Sequence, residues 1–327
     1  MEVRLLSADG VRLGSADDLA DWLHADDGIV WVDIPECNDA SLRVLREIFR
    51  FHPVAIRSCM ERNRVPRVHA YADHVFAILH APEPGRAGHV HYVELDQFIG
   101  PNYLVTVHGP VNPAVSPEAA LRETGAVARR VDSGRLRPSS PFDLSYAIVS
   151  ALSHYLESFV EILTREVWQL EQRVTSGHLG DPEEFLEEMF RARHGLIAVR
   201  TMAALGREVF GRMAALGRAV PAEAQPVLAD IVDQFTRVRS VADGEREYLQ
   251  GVIEFYQTRT DTKMTIAAER LAVIAVVTLP ITALSSVYGM NIIVNNRTDF
   301  PHLIVVLSIM LVMSIALLAW AKRQGWW

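Results

Sequence analysis

A chain of 327 residues has room for about two domains, and half of its residues are apolar, with the excess gathered near the C-terminus. A net charge of −8 with no basic tract excludes a partner recognised through phosphate charge, such as nucleic acid, and is compatible with handling cations. Two cysteines, Cys37 and Cys59, are too few for a disulfide framework and suit a reducing compartment.

The N-terminal stretch MEVRLLSADGVRLGSADD has no apolar core of signal-peptide length, so the first part of the chain is expected to stay in the cytoplasm. Residues 1–140 read as an α+β cytoplasmic domain. GIVWVDI, HVFAILHA, HVHYVELDQFIG and NYLVTVHG cluster or alternate β-formers, and turn signals such as PEPG and HGPVNP separate them. DASLRVLREIF has helical spacing, with Asp39 or Ser41 as its start. His89 and His91 share one face of a strand. They fit either plain surface histidines or part of a transition-metal site, since imidazole suits Zn²⁺, Co²⁺ or Ni²⁺.

From residue 141 the texture becomes helical. Residues 143–178 form one long pattern closed by Gly177 and Gly180, and Asp181 followed by Pro182 opens a second. A third begins near Pro226 and meets no proline until Pro280, about 53 residues or roughly 80 Å if helical throughout. So long a helix implies a stalk or a coiled-coil-like bundle, assigned here to residues 141–270. In LADIVDQF, Asp230 and Asp233 lie three apart on one helical face, a spacing equally at home on a solvated surface. The Glu183, Glu184, Glu187 and Glu188 group fits a helix N-terminus, which favours negative charge.

The last part, residues 271–327, reads as a membrane domain. LAVIAVVTLPITALSSVY (Leu271–Tyr288) and LIVVLSIMLVMSIALLAWA (Leu303–Ala321) are uncharged over 18 and 19 residues, each about the thickness of a bilayer core as a helix. Arg259, Lys263 and Arg270 precede the first span, and Lys322 and Arg323 follow the second. The short connection near 289–302 carries only Arg297 against Asp299. The basic excess therefore places both termini in the cytoplasm, with two spans in the cell (inner) membrane. No nucleophile motif, phosphate-cradling glycine loop or HExxH is present, so an enzyme is not expected.

On the first span, Ser286, Thr282, Leu279, Ala275, Leu271, Ala268 and Thr265 follow at steps of three or four and form one stripe. Small and polar near the outer end and apolar further in, the stripe could line a pore, with the leucine rings closing it by dewetting. It could also serve close helix packing in lipid. Glu254 extends the same face, either as a cation-attracting ring or as a solvated stalk charge. Gly289-Met290-Asn291 ends the span; Gly and Asn are also ordinary helix C-caps.

Gly-Met-Asn between the two final spans, with the terminus Lys322-Arg323-Gln324-Gly325-Trp326-Trp327, resembles the CorA family of divalent-cation channels. FHPVAIRSC followed by RVPRVHAYADHVFAIL is similar to that family's His-Pro helix start and Pro-basic-Val strand lead-in, so the resemblance spans the whole chain. It implies a homopentamer with a funnel-shaped cytoplasmic domain and a pore lined by the first spans. Gly289, Met290 and Asn291 would then be the selectivity filter. The resemblance further implies Mg²⁺ as both cargo and regulator, Co²⁺, Ni²⁺ or Zn²⁺ as other cargo, and Asp230 and Asp233 binding a regulatory Mg²⁺ with an acid from a neighbouring subunit. The chain departs from the family at Arg57 and Ser58, where acids are usual, and in the loop after Asn291, whose only acid is Asp299. Two other readings stand beside it: a similarity to the related ZntB-type Zn²⁺ transporters, with proton coupling, and a pore-less membrane-anchored sensor or scaffold.

Overall fold

The computed structural model describes residues 1–25, 28–177, 181–217, 219–289 and 300–324. These divide into two compact units, Met1–Val252 and Ile253–Trp327.

The first unit opens with β1 (Glu2–Ser7) and β2 (Gly10–Gly14), then α1 (Leu19–Ala25) and β3 (Ile29–Ile34). Next come α2 (Asp39–Arg43), which runs on as a π-helical turn over Val44–Ile48, and α3 (Pro53–Met60). β4 (Arg67–Ala70), β5 (Val75–Pro84), β6 (Val90–Ile99) and β7 (Tyr103–Val107) complete a seven-stranded sheet of order β2-β1-β3-β7-β6-β5-β4. Its neighbours are antiparallel except β3 and β7, which run parallel. Every residue of β3 is buried, which is why that strand reads as an unbroken apolar run. Val30, Val32 and Ile34 pack with Phe76, Ile78 and Phe98 against Leu19, Leu42, Ile56 and Cys59 of α1–α3. Side chains alternate across the sheet, so the intervening residues serve the other face, where Gln97 meets Ser145.

That face is covered by the helices that follow: α4 (Pro117–Ala120), α5 (Arg122–Asp132), α6 (Pro141–Ser176) and α7 (Pro182–Ala214). Each boundary has a local cause. His52 stands in extended conformation at the N-cap of α3, accepts from the Val54 N–H and precedes Pro53 at the first helical position. Ser140 caps α6 ahead of Pro141, and Asp181 caps α7 ahead of Pro182. Gly177 ends α6 at φ 81, a left-handed conformation that costs glycine little. The helix expected from Asp39 or Ser41 is capped one residue earlier: Asn38 Oδ1 accepts from the Ser41 N–H at 3.0 Å.

α8 (Gln225–Gly289) is a single 65-residue helix that continues through Pro280, and α9 (Phe300–Arg323) follows it. Close contact within the first unit relies on glycine. A Cβ on Gly206 of α7 would lie 2.8 Å from two ring carbons of Phe235 on α8. Gly206→Ala should therefore destabilise the protein by about 1–2 kcal/mol net, overpacking outweighing the better helix propensity of alanine. Thermal unfolding of the full-length variant reads this directly.

Two apolar helices and a pair of stalk aspartates

Ala222–Val287 and Ile304–Arg323 each contain a window long and apolar enough to cross a membrane, and only 6% of each window is buried within the chain. A core helix of a water-soluble domain would be mostly buried, so these windows need an apolar surrounding from outside the chain.

The stripe foreseen on the first span lies wholly on α8. Leu271 and Leu279 are both 67% exposed, and Thr265, Ala268, Thr282 and Ser286 are exposed, while Ala275 is half-buried. Thr265 and Thr282 turn their hydroxyl protons back to the carbonyls of Asp261 and Thr278, at 3.0 and 2.8 Å. With the proton used inside the helix, each oxygen is left as an acceptor, the polarity that suits the water shell of a cation. Glu254, further toward the N-terminus of α8, is exposed as well. Gly289 is the last residue of α8; Met290 and Asn291 lie outside the described residues.

Asp230 and Asp233 sit near the start of α8, the first half-buried and the second exposed. Tyr146 on α6 donates its hydroxyl to Asp230 Oδ2 at 2.7 Å, and Gln234 Nε2 donates to the same oxygen at 2.6 Å. The Tyr146 bond foremost, then the Gln234 bond, hold the Asp230 carboxyl below its usual range, so it is charged near neutrality. Both bonds fix one oxygen and leave Oδ1 aside, as the outer partners of a metal ligand often do. Among the described residues, no three His, Cys, Asp or Glu side chains are grouped to hold a metal ion.

The glutamates at the start of α7 are used structurally. Glu188 pairs with Arg173, and Glu187 with Arg191 at 3.3 Å. His89 and His91 lie with ring centroids 4.7 Å apart, and His194 of α7 stacks beside His89 at 6.3 Å. The sequence did not disclose that third ring, because it lies on an element over a hundred residues away.

Sequence reasoning also missed two buried polar groups in the sheet. Asp33 accepts from Thr106 at 2.5 Å and faces His108 Nε2 at 2.9 Å on the α5 side. Glu94 and Asp96, with His80 opposite Glu94, lie on the α3 side. The signal was present in VELDQF: two acids at strand spacing inside an apolar run point to the core.

Residues 26–323 match the family model for CorA-like Mg²⁺ transporter proteins. The chain belongs to that family. It is 24% identical over 302 residues to the putative metal ion transporter YfjQ of Bacillus subtilis, covering 90% of this chain and 89% of that protein. It is 23% identical over 292 residues to the cobalt/magnesium transport protein CorA of Thermotoga maritima, covering 86% and 78%. Its fold is similar to the complete CorA magnesium transporter of Methanocaldococcus jannaschii, with a TM-score of 0.82 at 16% identity over 100% of this chain and 98% of that one. The ZntB cytoplasmic domain of Vibrio parahaemolyticus is similar at a TM-score of 0.60 and 10% identity, over 80% and 98%. This CorA-family chain thus has the expected architecture: an α/β domain, a long helix and two apolar C-terminal helices of a membrane protein that transports divalent cations.

Proposed function

We propose that this CorA-family protein is a homopentameric Mg²⁺ channel whose pore is lined by the stripe from Thr265 to Ser286, with Gly289, Met290 and Asn291 as its filter. The observation that carries the reading is the stripe itself: of seven residues on one α8 face, most of them exposed in the single chain, those from Ala268 to Leu279 are apolar and those nearest Gly289, Thr282 and Ser286, carry hydroxyls. Mg²⁺ surrenders its water reluctantly, so a ring of neutral oxygens that holds the hydrated ion passes it faster than a ring of carboxylates. The leucine rings further in give a constriction that closes by dewetting. The domains fall at 1–140, 141–270 and 271–327, with both termini in the cytoplasm by the basic flanks of the spans. The membrane potential drives entry, at about 2.3 kcal/mol per elementary charge per 100 mV and twice that for a divalent ion.

Asp230 and Asp233 are the regulatory ligands in this reading, with Mg²⁺ on the cytoplasmic side joining subunits whose carboxylates otherwise repel. The completing acid then comes from a neighbouring subunit, in keeping with the lack of a third grouped ligand among the described residues of one chain.

Uptake into dye-loaded proteoliposomes tests the whole reading. Voltage-driven Mg²⁺ entry is expected, and Co²⁺ or Ni²⁺ should follow the same path. Zn²⁺ entry driven by a pH gradient instead would assign the chain to the ZntB manner of transport, and no flux of either ion from folded protein would leave a membrane-anchored scaffold. In the same assay, Leu279→Ser should raise the residual flux at closing internal Mg²⁺, because a hydroxyl ring of that radius stays wet. Unchanged residual flux would place the gate elsewhere on α8.

A further inference from the structure

The buried acids of β6 have no part in the pore or in the stalk aspartates, and their surroundings are unusual for charged groups. Asp96 is completely buried, and among the described residues no N–H or O–H group donates to either of its oxygens. Its neighbours are the Glu94 carboxylate, two residues along on the same strand face, and the Cys59 thiol of α3, a weak donor within reach of both Asp96 and the Ala55 carbonyl, the latter at 3.5 Å. Glu94 is 5% exposed and fully used: Oε2 accepts from the Asn63 N–H at 2.8 Å, and Oε1 accepts from Asn63 Nδ2 at 2.5 Å. Two neighbouring carboxylates in a dry interior do not both stay charged, since desolvation and, at Asp96, the Glu94 charge outweigh the Asn63 hydrogen bonds and the Arg67 charge that favour ionisation.

The geometry points to Glu94 and Asp96 as a proton-binding site of the cytoplasmic domain: one proton, carried on Asp96 and donated to Glu94, locks the segment from Glu61 to Pro66 onto the sheet through Asn63. The lock is visible on every side of Asn63. Its side chain also donates to the Ser58 carbonyl at 2.8 Å, its Oδ1 accepts from Arg67 at 2.9 Å, and its carbonyl accepts from His80 Nε2 at 2.9 Å. Glu94 lines a cavity of about 280 Å³ together with Arg62, Tyr92 and His108, which gives the proton a way in.

The other titrating groups around the pair have separable pH ranges. Burial holds His80 of β5 down to about 4, so it is neutral in the folded protein near neutrality. Its cost to stability falls below the unfolded histidine value of about 6.5. Burial pushes the thiols of Cys59 and, on the loop before α2, Cys37 upward, which makes itself felt only as free thiols ionise above about 8. The Arg67 guanidinium of β4 favours the ionised form of both acids, and Arg46 stands near Cys37. Burial, and then the Glu94 charge, push Asp96 well above the usual carboxylate range, and burial also raises Glu94. A carboxyl whose folded value is raised binds its proton more tightly folded than unfolded. The resulting stability is complete below the unfolded value of about 4 and is lost as pH rises toward the folded value. Buried Glu123 and, on α6, Glu166 are also raised by desolvation, so the pair's share is read as the difference between the wild type and a variant that removes its proton.

Infrared spectroscopy of the full-length protein labelled with ¹³C-aspartate is the direct test. At pH 7 one protonated carboxyl C=O band should carry the label shift and should vanish in Asp96→Asn. The amide of that variant keeps the donor to Glu94, so the fold and the Asn63 lock should persist. Relative to Asp96→Asn, the wild type should lose stability in thermal unfolding as pH rises above about 4 toward the folded value of Asp96, by up to about tenfold in the unfolding equilibrium per pH unit. Hydrogen exchange over residues 61–66, compared at equal pH, should rise at high pH in the wild type and not in the variant. No labelled protonated-acid band at pH 7, or a band that survives in Asp96→Asn, overturns the proton site. Equal protection of residues 61–66 in both proteins at every pH overturns the lock.

Discussion

Asn291→Ala should abolish voltage-driven Mg²⁺ entry while leaving the assembled protein folded. In the proposed pore every subunit contributes one Asn291 amide to a single ring, so a point substitution removes all copies at once. If each amide contributes about 0.5–1.5 kcal/mol net to holding the hydrated ion, five together supply roughly 2.5–7.5 kcal/mol, and flux should fall by about two orders of magnitude or more. Asn291→Gln keeps the chemistry and moves the dipole by a methylene. It should retain partial flux with altered preference among Mg²⁺, Co²⁺ and Ni²⁺, because those ions differ in how readily they shed water. A helix cap predicts another outcome: Asn291→Ala would then cost about 1 kcal/mol of stability and little flux. The measurement pairs dye-reported uptake with a melting curve on the same sample. Normal uptake with lowered stability would remove Asn291 from the filter and return Gly-Met-Asn to a structural role.

Much of the fold is legible because its boundaries are set by short-range chemistry. His52-Pro53, Ser140-Pro141 and Asp181-Pro182 each write a helix start into two residues, and Gly177 writes an end. α8 is legible through absence: no proline interrupts it before Pro280, and its uncharged last stretch from Leu271 cannot be stable in water as an exposed helix. α2 starts at Asp39, one of the two starts the sequence offered, while the cap itself is Asn38, whose side chain accepts from the Ser41 N–H. The tertiary polar groups were beyond the sequence. Period two places Glu94 and Asp96 on one face of β6, but nothing local says that Asn63, 31 residues earlier, will occupy the Glu94 carboxylate. The same holds for the stalk. Asp230 and Asp233 are visible as a spacing, whereas the Tyr146 hydroxyl that orients Asp230 comes from a helix 84 residues away.

Asp230→Asn combined with Asp233→Asn should leave the channel conducting at internal Mg²⁺ concentrations that close the wild type. Asparagine matches the size of aspartate and keeps an oxygen for Tyr146 and Gln234 to donate to, so the packing of α8 on α6 should survive. What is lost is charge. Mg²⁺ binding at a carboxylate site depends on that charge, and without it the ion no longer favours the closed arrangement over the open one. A coupling free energy of about 1–3 kcal/mol corresponds to a shift of roughly 5–150-fold in the internal Mg²⁺ needed for half closure. Tyr146→Phe separates positioning from charge. It removes the donor that holds Asp230 low, leaving the carboxylate present but less well fixed, and so should shift half closure by less than the double variant. Maximal flux at low internal Mg²⁺ should be the same in all three proteins, since none of these residues lies on the proposed pore stripe. Uptake recorded against a series of internal Mg²⁺ concentrations reads both quantities from one experiment. A double variant that closes at the wild-type concentration would show that Asp230 serves only to join α8 to α6 through Tyr146, and that any closing ion binds elsewhere. A loss of maximal flux without a shift would instead make the aspartates part of the conduction path.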